Sequence, residues 1–282
     1  MIKLIKPEFN QYEIITDCTS QMRDDDRKQL ILNCRDEIVS ASEEYDRKAS
    51  AGQLSLISVH DRLLGGASKD DMTKLYEQRF ASKRAYGRVY YDKIKLLSPN
   101  FRCPYCAQRG VGTLDHYLPK SKYPVYAVTP YNLVPACMEC NKVKMDENFG
   151  RREEEVIHPY YDDFSGEKWV AANMIEEEPI AFEFFVRCPE CWDHTKKRRA
   201  ENHFYRFQLG TLYKPYASEE FGACYSRIKR LYLKGGKDLA VKDLNEQIID
   251  RDTIRLNTWQ AAMYQAIIDS QWFWETYLPQ NT

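Results

Sequence analysis

Two short stretches decide how this chain is read: Cys103-Pro104-Tyr105-Cys106 and Cys137-Met138-Glu139-Cys140, the second running directly into Asn141-Lys142-Val143-Lys144. Each is a C-x2-C knuckle, a tight turn that presents two thiolates on one side. Two such knuckles complete a tetrahedral four-thiolate zinc site. Thirty residues separate Cys106 from Cys137, more than in the commonest zinc ribbons, so the frame encloses a sizeable excursion. A zinc ion held by four thiolates has no open position for water. It is therefore expected to be structural, fastening a module too small to hold a core of its own.

Any chemistry must come from the enclosed residues. They read Gly112-Thr-Leu-Asp115-His116-Tyr-Leu-Pro119-Lys-Ser-Lys-Tyr-Pro124, then Pro130-Tyr-Asn132-Leu-Val-Pro-Ala. Phosphodiester hydrolysis needs a hard divalent ion on the scissile phosphate and a base for the attacking water. Asp115 and Asn141 offer oxygen ligands of the kind that suit Mg2+ or Mn2+. His116 is the candidate base near neutral pH. Side chains alternate along a strand, so neighbours Asp115 and His116 need a bend or a strand end to reach one phosphate. Asn132 is expected to orient the imidazole or its loop. Lys144, about one helical turn beyond Asn141, is expected to contact phosphate.

The pattern CPYC…LDHYLPKS…YP…NLVPAC…CNKVK resembles the HNH (ββα-metal) endonucleases, built from two β-strands and a helix around one metal ion. The resemblance implies a metal-ligand role for Asp115, the general base for His116, the central orienting position for Asn132 and a second metal ligand at Asn141. Asparagine at this last position resembles the D-H…N…N version in RNA-guided CRISPR nucleases, which implies Mg2+ or Mn2+ over zinc or nickel. More loosely, LDHYLPKSKYP, HPYYDDF and ENHF…LY resemble HNH proteins of prokaryotic anti-phage defence loci, often encoded beside an ATPase. That implies double-stranded DNA as substrate and an ATPase as partner. The alternatives left open are a non-catalytic zinc-stapled nucleic-acid-binding or scaffold protein and an RNA-cleaving toxin.

The flanks read as mainly helical around this small module. The chain divides into an N-terminal helical region (1–100), the zinc-stapled core (101–150), a mixed α/β connection (151–199) and a C-terminal helical region (200–282). Leu30, Ile31, Cys34, Ile38 and Tyr45 form an apolar stripe after Asp24–Asp26. A second helix is expected from near Lys69 to Leu97, ended by Ser98-Pro99-Asn100. A strand is expected at Ile180–Val186, then helices at 200–213, 218–234, 237–249 and 252–278.

The 282 residues carry a net charge of −1, with 13% aromatic and 29% charged residues, the composition of an ordinary folded domain. No apolar run reaches the roughly 18 residues of a membrane span, and the N-terminus lacks a secretory apolar core, so cytoplasmic residence and no membrane partner are expected. In that compartment the nine cysteines read as metal ligands or buried thiols. Basic residues cluster around Lys83–Lys95, Lys196–Arg199 and Arg227–Lys237, either as solvated helix faces or, with interleaved tyrosines, as a phosphate-tracking surface. His158, in Ile157-His158-Pro159, is read either as a structural residue or as a further metal or phosphate contact. Cys188 and Cys191, followed by His194 and His203, are candidates for a second zinc site, against a reading as ordinary thiols.

Overall fold

The computed structural model describes residues 1–146 and 149–281, which form two compact units, Met1–Asp163 and Phe164–Thr282. The first runs α1 (Gln11–Ser20), α2 (Asp25–Asn33), α3 (Arg35–Ser50), α4 (Lys69–Lys74), α5 (Arg88–Leu96), β1 (Thr113–His116), β2 (Leu133–Ala136) and α6 (Met138–Lys144). The second runs β3 (Val170–Ile175), β4 (Ala181–Val186), α7 (His194–Arg206), α8 (Leu209–Ile254) and α9 (Trp259–Asp269). Helices thus dominate, with two antiparallel strand pairs between them.

In the first unit, α2 opens where the acidic cap predicts, with the Asp24 carboxylate accepting from Arg27 N. Cys34 interrupts the expected continuous helix, and Leu30, assigned to the apolar stripe, is exposed. The Lys69–Leu97 helix is broken more thoroughly. α4 passes into a π-helical segment, Leu75–Phe80, and residues 81–87 leave the helix before α5 begins. The extra residue per turn rotates Tyr76 and Phe80 into the core, while Tyr86, beyond the break, is exposed. α1 has no counterpart in the sequence reading. It is capped by Asn10 Oδ1, which accepts from Tyr12 N and Glu13 N.

The central module is a strand pair followed by a helix. β1 and β2 are antiparallel with Asp115 opposite Val134 and His116 opposite Leu133. α5 packs on both strands and α6 on β1. Burial is nearly complete along this pair, because helices and aromatic side chains cover both faces. Tyr117 donates its hydroxyl proton to the Val156 carbonyl (2.7 Å) and Tyr160 to that of Leu133 (2.8 Å). Segment 156–160 is thereby tied to the strands, which explains why the unit extends to Asp163.

In the second unit β4 occupies the expected place, and β3 is its unforeseen partner, with Val170 opposite Val186. The break expected between 234 and 237 is present, the one expected between 213 and 218 is absent, and the others are shifted. α7 starts at His194, capped by Asp193, whose carboxylate accepts from Lys196 N. α8 turns at Gly235-Gly236, where Gly236 has φ 74°, a left-handed backbone that favours glycine. The expected 252–278 helix is divided by Asn257, also left-handed at φ 61°. Its Oδ1 accepts from Trp169 N (2.6 Å) and Val170 N (3.1 Å), so the side chain fastens the start of β3. Thr258 then caps α9. Among the described residues no helix is long and apolar enough to cross a membrane.

Candidate metal and phosphodiester site

The four cysteines of the two knuckles come together. Cys103, Cys106, Cys137 and Cys140 are all buried and their Sγ atoms lie within 4.8 Å of one another. Tetrahedral zinc with Zn–S bonds of about 2.3 Å needs sulfurs just under 4 Å apart, so this cluster can hold a zinc ion with little adjustment. The knuckles are built for anionic sulfur. Arg109 N donates to Cys106 Sγ (3.4 Å) and Cys140 N to Cys137 Sγ (3.3 Å). Cys137 is also the N-cap of α6, at the positive end of that helix. Contact with the neighbouring thiols holds Cys106 and Cys137 below the ordinary thiol range, while burial pushes Cys103, and the thiol contacts push Cys140, above it. Ala107 takes the left-handed conformation (φ 56°) that closes the first knuckle.

The residues between the knuckles border one open cleft of about 500 Å³, lined by Asp115, His116, Pro119, Lys120, Asn141 and Lys142 among others. Asp115 and His116 share it because β1 ends at His116 and the alternation of the strand stops there. Asp115 is deeply held. Its Oδ2 accepts from Tyr105 Oη (2.8 Å), and Lys144 Nζ lies 3.2 Å from Oδ2 and 3.3 Å from Oδ1. A carboxylate has about four acceptor positions. These contacts use three of them.

His116 is fixed through one nitrogen. Nε2 lies 2.8 Å from the Ala127 carbonyl, which can only accept, so Nε2 carries the proton and Nδ1 keeps its lone pair. The edge of Tyr76 abuts the ring, with centroids 4.4 Å apart. Burial, with Lys120 and Lys144 adding like charge, pushes the imidazole pKa down to about 3. His116 is therefore neutral across the physiological range, and a weaker base than a free imidazole.

Asn132 is wholly buried, and its side-chain hydrogen bonds do not go to the imidazole. Its Oδ1 accepts from Leu118 N (2.7 Å), and Nδ2 donates to the carbonyls of Leu118 (2.9 Å) and Tyr126 (3.2 Å). It clamps both ends of the loop whose next carbonyl, that of Ala127, holds His116. Of the two expected roles for Asn132, the loop-orienting one matches this geometry. Asn141 lies half-buried on α6 beside the cleft. Its side chain has no hydrogen bond among the described residues.

The expected phosphate contact of Lys144 requires correction. Lys144 is completely buried, and its Nζ donates to the His116 carbonyl (2.6 Å) and to Asp115. The helical turn that separates it from Asn141 points it under the cleft floor. His158 also lies away from the cleft, 4.1 Å from the Tyr117 ring centre, with Nδ1 accepting from Tyr160 N (3.2 Å) and Nε2 3.1 Å from Tyr45 Oη. Nor do Cys188, Cys191, His194 and His203 gather around a point. Eight residues of helix lie between the two histidines, a rise of about 13 Å over about two and a half turns, so they occupy opposite faces of α7. Cys188 Sγ instead faces the Lys197 carbonyl (3.8 Å), and Cys191 is exposed. Among the described residues, the knuckle cysteines are the one group of three or more metal-ligating Cys, His, Asp or Glu side chains.

The cluster Lys196–Arg199 is largely consumed by internal contacts. Lys196 lies over the Trp192 ring and pairs with Glu167 (3.6 Å), and Arg198 pairs with Glu201 (2.7 Å). Lys120, which lines the cleft, and Tyr105 and Tyr76, which contact Asp115 and His116, are residues that the sequence left unmarked. A readable signal existed only for Tyr105, which sits inside a knuckle and must project into the module's small core.

No family model matches the chain, and no solved structure matches it. Protein ea31 of Escherichia phage lambda is 29% identical over 296 aligned positions, spanning 97% of this chain and 99% of that protein. Septu protein PtuB of Bacillus thuringiensis is 32% identical over 82 positions, 27% of this chain and 31% of PtuB. The similarity to the phage protein is end to end, and that to PtuB covers about a third of PtuB's length.

Proposed function

We propose that the chain is a metal-dependent phosphodiester hydrolase of the HNH type, acting on double-stranded DNA. The observation that carries this reading is that Asp115, His116 and Asn141 line one cleft, with His116 Nε2 engaged by the Ala127 carbonyl and Nδ1 left as its remaining acceptor. A strand pair followed by a helix, stapled by four cysteines, is the arrangement the HNH resemblance implies.

In this reading the Asp115 carboxylate, with its remaining acceptor position, and the Asn141 amide oxygen would hold Mg2+ or Mn2+, and water completes the shell. The bound ion supplies Lewis-acid charge to the scissile phosphate. His116 Nδ1 accepts the proton of the attacking water. The Ala127 carbonyl steadies the imidazolium that results, and Asn132 keeps that carbonyl in place. Lys144 and Tyr105 set the orientation of the Asp115 carboxylate without touching substrate.

A role in anti-phage defence beside an ATPase partner belongs to the same proposal. It rests on the motif resemblance, with which the partial similarity to a Septu protein agrees. A second reading, a non-catalytic zinc-stapled scaffold, is favoured by one observation: three of the four acceptor positions of Asp115 are already occupied. Incubation of plasmid with Mg2+ or Mn2+ separates the two. The wild type nicks or linearises the plasmid, whereas His116→Ala, with unchanged zinc content, does not. Equal cleavage by the variant would remove His116 as the base, and no cleavage by the wild type with its partner present would favour the scaffold.

A further inference from the structure

With Lys144 buried beneath Asp115, the cleft needs another source of positive charge. Two lysines from different elements border it. Lys120 comes from the loop after β1, and Lys142 from the exposed face of α6 next to Asn141. We propose that Lys120 and Lys142 are the phosphate-binding cations of the cleft, engaging the non-bridging oxygens of a phosphodiester backbone. The proposal deepens the hydrolase reading and rests on the cleft receiving a phosphodiester.

Lys120 is pre-positioned. It follows Leu118, whose backbone is held on both sides by Asn132, and it lies in a turn where Lys122 N and Tyr123 N both donate to the Pro119 carbonyl (2.9 Å each). Its Nζ sits 5.6 Å from the Tyr76 ring centre and 3.6 Å from Glu77 Oε1. Glu77 is well exposed and the contact is long, so little holds the ammonium from an incoming anion. Lys142 has no side-chain partner among the described residues.

The acids around the cleft are mostly accounted for. Asp115 is neutralised by Lys144, and Glu139 faces Arg109 at 4.0 Å. Asp146 is the remaining uncompensated carboxylate on the lining. Against Lys120 and Lys142 stand Asp146 on the lining and Glu77 beside Lys120, so the proposal rests on where the two ammonium groups sit and not on a surplus of charge.

The test is fluorescence anisotropy with a short labelled DNA duplex and the full chain, without added divalent ion, from about 50 to 200 mM salt. Lys120→Gln and Lys142→Gln should each weaken binding several-fold, equally on unrelated sequences, and flatten the slope of log K against log salt by about 0.9. Glu77→Gln, which only releases Lys120, should bind as tightly as wild type or tighter with the slope unchanged. A wild-type slope retained in both lysine variants would overturn the proposal, as would an absence of wild-type binding at the lowest salt. Cleavage assayed in parallel keeps the two readings apart. Binding with the expected slopes but no hydrolysis, with divalent ion and the partner present, removes the hydrolase and leaves the phosphate site; hydrolysis with unchanged slopes does the reverse.

Discussion

Lys144 and Asp115 form an ion pair with almost no solvent contact: the ammonium lies 3.2 Å from Oδ2, and the same Nζ donates to the His116 carbonyl at 2.6 Å. One side chain from α6 thus holds the last two residues of β1. Burying two charges costs several kcal/mol, which their attraction and the surrounding hydrogen bonds must offset. The pair is intelligible as a device that fixes where the Asp115 carboxylate points.

Removing one member leaves the other charge stranded. Lys144→Met is expected to cost about 3–5 kcal/mol in urea unfolding. Adding Asp115→Asn should recover part of that loss, since the uncompensated charge is then gone. A single-variant cost below about 1 kcal/mol would show that water reaches the pair.

Asn132→Ala tests the loop clamp. It strips partners from the Leu118 N–H and C=O and from the Tyr126 carbonyl. At about 1–3 kcal/mol for each buried group left unsatisfied, a total loss near 3 kcal/mol is expected after relaxation. Amide exchange at Leu118 should accelerate. Unchanged exchange there would mean that the loop is held by something else.

The four-thiolate cluster predicts one zinc per chain by elemental analysis. Cys137→Ser should abolish it and lower the melting temperature of the first unit, because metal-binding energy is folding energy in so small a module. Two zinc ions per chain would require ligands outside this cluster.

Thiol reactivity gives a test in pH. Burial pushes the thiols of Cys18 and Cys224 up to about 12, so at pH 8 about one in 10⁴ is the thiolate that alkylates. Cys191 is exposed. Iodoacetamide at pH 8 should label Cys191 rapidly and leave Cys18 and Cys224 intact until unfolding, without releasing zinc. Rapid labelling of Cys18 in the folded protein would contradict its burial.

The parts of the site that could be read from sequence are those set by local spacing. Two C-x2-C turns must each present paired sulfurs, and Asp115-His116 followed by Asn132 lies where a short strand pair can bring them together. Lys144 shows where such reading stops. Helical periodicity places it one turn from Asn141 but does not say which side of α6 is covered. That depends on Tyr105 and Tyr117, which are distant in the helix's own frame. Similarly, the apolar spacing of residues 69–97 is equally consistent with one helix or with the π-helical segment and break observed, since the choice depends on packing Tyr76 against His116. Asn257 illustrates the same limit, because its left-handed turn is repaid by hydrogen bonds to Trp169 and Val170, nearly ninety residues away in sequence.

The sulfur cluster has one more consequence. It joins the segment leading into β1 to the start of α6, so Asp115 and Asn141 stand on the two arms of a single fastened loop. Closing that loop lowers the entropy that any ligand bridging Asp115 and Asn141 must otherwise remove. Such coupling is reciprocal: what zinc gives to that ligand's affinity, the ligand returns to zinc. With zinc in the cluster and such a ligand bound, the two sites would behave as one thermodynamic unit, and zinc occupancy would control the cleft as well as brace the fold.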